Sequence, residues 1–238
     1  MITPDIIPAV HIRLEGYSAF FRTAWTISGT QLTVSCPPYS TLLGLISACA
    51  GREIMPSDTR IGYEFSRVSQ GMELERTTRF RLQGDKLVEH NEGQGVLYRE
   101  VHFRPKLDLY LTNLDLASVF YNPLSPPRLG RSQDLCWITK VERVELTSVK
   151  SGKIGSTMIS NKILLNRYIS PELVNCTEYF GNQVMGRLRR VKSMGLYQVI
   201  LPLPSPSNGR QEIKCDNLFH PSNLHDDDVI YLHEWSTN

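Results

Sequence analysis

Apolar and polar residues alternate through "AVHIRLEG" (9–16), with Val10, Ile12 and Leu14 on one side and Ala9, His11, Arg13 and Glu15 on the other. A period of two marks a half-buried strand. In "CPPYSTLLGLISACAGRE" (36–53) the period changes: Tyr39, Leu42, Leu43, Ile46, Cys49 and Ala50 recur at helical spacing. A helix with one apolar face is expected there. Pro37 and Pro38 suit its entry, because a first-turn proline has no amide proton to leave unpaired. Ser40 is placed to help cap that end, and Gly51 to stop the other. Gly44 costs helix stability in mid-face and predicts close packing against a sheet.

"RIGYEFSRV" (60–68) reads as a second strand, with Ile61, Tyr63 and Phe65 on one side. From about 69 to 100 the pattern loosens into charged, glycine-containing chain, with strand-like pieces around Arg79–Leu82 and Val96–Arg99. A segment this long predicts a β-hairpin arm projecting from the core. "VHFRPKLDLYL" (101–111) puts Val101, Phe103, Leu107, Leu109 and Leu111 on an apolar face and His102, Arg104, Lys106 and Tyr110 opposite. Pro105 interrupts it, implying an edge or a bulge. A short helix is expected from Thr112 or Asn113 through Tyr121. "CWITKVERVEL" (136–146) then reads as a strand, with a helix as the alternative because its apolar spacing is three.

The order strand, helix, strand, arm, strand, helix, strand is the α+β, ferredoxin-like (RRM-like) βαββαβ arrangement. It predicts a domain over 1–147, with the arm at about 69–100, and a β-rich C-terminal extension over 148–238 packed on it. Within that extension "SNKILLNRYISPELV" (160–174) reads as helical up to Pro171, while "GLYQVILPLP" (195–204) and "DVIYLHEW" (228–235) read as strands. Two helices on one sheet face leave the other open for nucleic acid.

The 238 residues are 41% hydrophobic and 21% charged, enough to bury a core. A net charge of +2 identifies no partner, so placement matters more: "ERTTRFR" (75–81) and "GRLRRVK" (186–192) are basic clusters. Five scattered cysteines without a C-x-x-C pair argue against a disulfide framework or a zinc site. Six ungrouped histidines predict no metal, and no cofactor motif is present. Neither G-x-S-x-G nor a P-loop occurs, which argues against a hydrolase or NTPase. No apolar run reaches the roughly 18 residues of a membrane span, and the first residues lack secretory-signal features, so a cytoplasmic protein with no membrane partner is expected.

Two motifs sharpen this picture: "PPYSTLLGLISACAGRE" after the first strand and "PPRLGRSQDL" before the fourth. Together they resemble CRISPR-associated protein family five, within the RAMP superfamily, over roughly residues 9 to 147. The carrying residues are Pro37, Pro38, Ser40, Leu42, Leu43 and Gly44, then Leu129, Gly130, Arg131 and Ser132. The resemblance implies a non-catalytic subunit of a type I interference complex (Cascade), A- or B-like. Such a subunit binds and caps the 5′ handle of crRNA. Its arm, or thumb, locks over the RNA and packs on the backbone subunit. The large, PAM-reading subunit docks nearby, with target DNA near the PAM as a further partner.

Guanidinium groups suit phosphates, which makes Arg76, Arg79 and Arg81 in the arm, and Arg99 and Arg104 at its return, candidate RNA contacts. The helix opening at Pro38 offers unpaired amides to a phosphate, with Tyr39 and Ser40 facing RNA. Arg131, Ser132, His102 and the cluster Arg187, Arg189, Arg190 and Lys192 complete the candidates. A core role for Tyr39 and a turn-capping role for Arg131 stand as rivals. A minority branch of the family cleaves precursor RNA without metal, using a Tyr, a Lys and a His. Tyr39, Lys106 and His102 could form such a set, giving a metal-independent endoribonuclease as one alternative. A generic single-stranded RNA-binding module is the other.

Overall fold

The computed structural model describes residues 5–23, 29–165, 171–181, 190–201 and 209–235 (for 91–93, the backbone alone). In chain order the elements are β1 (Ile6–Gly16), β2 (Ser18–Ala19), β3 (Thr30–Gln31), α1 (Tyr39–Ala50), β4 (Ile61–Ser66), β5 (Ser69–Gln83), β6 (Lys86–Phe103) and β7 (Lys106–Leu111). There follow α2 (Ala117–Tyr121), β8 (Cys136–Ile154), β9 (Thr157–Ser160), β10 (Glu172–Gly181), β11 (Arg190–Ile200), β12 (Gln211–Pro221) and β13 (Asp228–Tyr231). The chain is mostly β, and no described helix is long and apolar enough to cross a membrane.

The main sheet runs β12-β13-β8-β1-β7-β4. Within it β8, β1, β7 and β4 are antiparallel neighbours. Alternation in β1 settles its faces: Val10, Ile12 and Leu14 pair across to Leu111, Leu109 and Leu107. All six are buried in the cluster that also takes Leu42, Leu43, Leu45 and Ile46 of α1 and Ile61, Tyr63 and Phe65 of β4. Each such side chain contributes about 1.5–3 kcal/mol when taken out of water.

The ends of α1 differ from one another. Gly51 stops the helix at φ 66°, and a Cβ there would sit 2.2 Å from Leu124 Cδ2. Pro38 occupies the N-cap with no side-chain hydrogen bond, so Ser40 does not cap. Gly44 corrects the expectation of close packing: it is exposed, with nothing within 4 Å of a Cβ built on it.

Three further expectations are revised. The stretch 101–111 is two strands, broken at Arg104 and Pro105. Arg104 takes φ 48°, and across this break the alternation inverts, so that His102 is buried while Phe103 is 38% exposed. The second sheet face is partly covered by the C-terminal strands, with Phe219, Ile230 and Leu232 packing over Ala9, Tyr110, Val144 and Leu146. Residues 161–165 form a turn where a helix was expected, and Ile163 and Leu165 pack on the Ile159–Ile213 cluster; 166–170 lie outside the described residues. The expected strands at 195–200 and 228–231 and the short helix at 117–121 are present. The expected boundary at 147 falls inside β8.

Candidate nucleic-acid interface

The arm is a β5–β6 hairpin, joined through Gly84 at φ 60° and paired from Ser69↔Phe103 to Gln83↔Lys86. Charged and apolar residues share its exposed surface: Arg76, Arg79 and Arg81 stand in solvent beside Leu74, Val96, Tyr98, Phe80 and Leu82. Arg76 donates to Gln94 Oε1 at 2.8 Å, and no carboxylate among the described residues pairs with Arg79 or Arg81.

The foot of the arm is different. Arg99 is only 8% exposed, donates to Glu75 Oε2 at 2.9 Å and to Gln31, and lies 4.4 Å from the Phe20 ring centroid. Arg131 reaches the same carboxylate at 3.0 Å, Glu73 beside it, and the fully buried Asp134 at 2.9 Å. Burial works against ionised Arg131, but Asp134 and Glu73 outweigh it and raise its pKa. Burial likewise opposes ionised Glu75, and the two guanidinium groups overcome it and hold its carboxyl below the usual range. The Leu-Gly-Arg-Ser turn is pinned underneath: Gly130 has φ 116°, and a Cβ there would lie 1.9 Å from the Phe20 carbonyl oxygen. The turn clasps the arm to the body, and the donors of Arg131 and Arg99 are spent on carboxylates and Gln31. Both were expected to meet RNA; in the structure each is paired within the fold.

Tyr39 is in the core, with its hydroxyl donating to Met158 O at 2.7 Å and its ring stacked 3.8 Å from His233. Pro37 and Pro38 are buried with it, so the helix entry does not face solvent. His102 is fully buried and donates from Nε2 to Val34 O at 2.9 Å; burial depresses its pKa to about 4. Tyr39 and His102 therefore offer no open pair to a scissile RNA bond, while Lys106 remains partly exposed. Arg104, Ser132, Arg190 and Lys192 are exposed, and Ser40 partly so. Arg187 and Arg189 lie outside the described residues. Among the described residues no group of three or more His, Cys, Asp and Glu side chains could hold a metal.

Sequence reasoning missed the carboxylates at the foot. Glu73 and Glu75 share one side of β5, across from Arg99, and folding the hairpin about Gly84 on paper would have aligned them. Asp134 gave no such signal.

No protein-family model matches the chain, and no curated protein matches it in sequence. Solved structures do. A chain of a CRISPR RNA-guided surveillance complex superposes with a TM-score of 0.52 at 13% identity, covering 87% of this chain and 91% of that one. A CRISPR protein from Archaeoglobus fulgidus gives 0.47 at 12% identity, over 95% and 100% of the two chains. A chain of a type III-B Cmr-beta complex bound to cognate target RNA and AMPPnP gives 0.47 at 8%, over 87% and 86%. The chain shares its fold with the first of these.

Proposed function

We propose that this protein is a non-catalytic RNA-binding subunit of a type I CRISPR interference complex, holding the 5′ handle of crRNA. The observation that carries the proposal is the arm: a hairpin clasped at its foot, with exposed arginines towards its turn, on a fold shared with a surveillance-complex chain. The order β8-β1-β7-β4, all antiparallel, supports reading the N-terminal part as ferredoxin-like with the arm as its thumb. Arg76, Arg79, Arg81 and Arg104 supply the phosphate contacts, with Ser132, Arg190 and Lys192 as further contacts. The exposed apolar strip of Leu74, Val96 and Tyr98 faces the backbone subunit. The large subunit and PAM-proximal DNA lie beyond the RNA.

The test is retention of repeat-derived RNA by the purified chain as salt is raised. Binding that weakens linearly on a log–log plot supports the reading. No binding, or metal-independent cleavage of that RNA, overturns it, the second outcome in favour of the endoribonuclease alternative.

A further inference from the structure

Where the arm joins the body, the chain lines a half-open cavity of about 400 Å³, bordered by only one of the phosphate contacts proposed above, Arg104. Two aromatic rings line it: Tyr17, 74% exposed, and Trp137, 42% exposed, with centroids 5.1 Å apart and planes at 59°. Arg67, Arg104 and Lys106 surround the rings, against one carboxylate, Glu15. Arg67 gives one donor to Ser35 O at 3.1 Å; the side chains of Arg104 and Lys106 make no hydrogen bond or ion pair among the described residues. Glu15 is the cross-strand neighbour of both Lys106 and Trp137, yet pairs with neither Arg104 nor Lys106.

Arg104 also holds a left-handed backbone (φ 48°), uncommon for a residue with a side chain and enriched where a ligand is clamped. Its amide donates to Tyr17 O at 2.9 Å, so the strained residue and the exposed ring are tied together. Beyond this wall a second hollow, lined by Phe103 and Ser69, continues towards the arm.

Resting on the RNA reading above, we infer that this cavity is a nucleotide subsite: one unstacked base of a single strand lies on an open face of the Trp137–Tyr17 corner, and its flanking phosphates meet Arg104 and Lys106. The rings meet as a corner, so the base packs on one side and is not sandwiched. Aromatic stacking accepts any base, while the cations demand an anion beside it. A neutral apolar peptide would leave three cations against the single carboxylate Glu15, whereas a nucleic-acid strand brings both the ring to stack and the anions beside it, which favours nucleic acid as the occupant.

The test uses the full chain and single-stranded oligoadenylate RNA of roughly ten nucleotides. Stacking quenches indole fluorescence, and Trp137→Phe against the parent assigns the signal. The inference expects quenching that saturates with binding. It expects affinity to fall roughly tenfold in Trp137→Leu, and the salt slope to drop by about 0.7 in Arg104→Gln. Thermal melting of each variant confirms that these exposed substitutions leave the fold intact, and Tyr17→Leu gives a second, independent loss. Should the parent bind RNA with full salt dependence while both ring variants bind as tightly and no Trp137 quenching occurs, the subsite is overturned and the arm reading stands. Should the parent bind no RNA at all, both fall.

Discussion

At the foot of the β5–β6 hairpin, Arg99 and Arg131 sit against Glu73, Glu75 and Asp134; towards its turn, Arg76, Arg79 and Arg81 stand in solvent. The residue type is the same and its employment is opposite. Guanidinium groups buried with carboxylates tie the foot of the arm to the body, and their charge is cancelled within the fold. Exposed ones contribute little to stability and keep their charge for a partner. A basic residue in a binding protein thus shows its role through its neighbours, not its identity.

Four experiments strain this contrast, beginning with the foot. Asp134→Ala removes a fully buried carboxylate that holds Arg131 through backbone and side chain and accepts from Ser18 Oγ at 2.6 Å. Loss of one partner of a buried pair should cost about 3–5 kcal/mol in denaturant unfolding. A loss under about 1 kcal/mol would mean the clasp is not structural.

Acid should act next, and on the body side of the foot. His102 is buried neutral with a pKa of about 4, while the unfolded chain takes up that proton near the ordinary 6.5. Between those values the unfolded state binds more protons, so stability falls as pH drops from about 6.5 to about 4, by roughly 3 kcal/mol from this group. Glu142 extends the loss further down. Burial opposes its charge, but Lys140, His11 and Asn223 outweigh that and hold it near about 2, so its contribution fades between its ordinary 4.5 and that value. Thermal melting across this range, flattened above pH 4 in His102→Gln, checks the assignment.

Replacing Arg76, Arg79 and Arg81 together by Gln tests the turn end. Stability should stay within about 0.5 kcal/mol, while the salt slope of RNA binding drops by about 2. A slope equal to the parent's would show that these arginines serve something other than phosphate. The smallest effect belongs to Gly44→Ala, outside both regions. With open space around that position the substitution should stabilise α1 by up to about 1 kcal/mol, without changing RNA affinity.

What the sequence made legible was local. Period-two alternation placed β1 and β4, helical spacing placed α1, Gly51 ended it, and the long loosened stretch predicted the hairpin. The failures have two causes: partners distant in the chain, and one backbone conformation that the letters do not show. Arg131 meets carboxylates 56 and 58 positions away, invisible until the hairpin is docked. The alternation through 101–111 hid a reversal because one left-handed residue, Arg104, shifts the phase without changing the pattern of letters. Tyr39 fitted its helical face correctly, but only the described fold shows His233 and Trp235 closing over it. At the candidate site, residue types were readable and their freedom was not.

That closure has a temporal side. Trp235 donates from Nε1 to Thr59 O across 176 positions, and His233 lies flat on the ring that begins α1. During synthesis α1 is made long before these two residues, so the packing around its opening aromatic is completed late. Contacts between such remote segments slow folding and lengthen the exposure of greasy surface. The contact of His233 and Trp235 with Tyr39 is therefore a long-range closing step, made by chain that follows α1 only at a great distance.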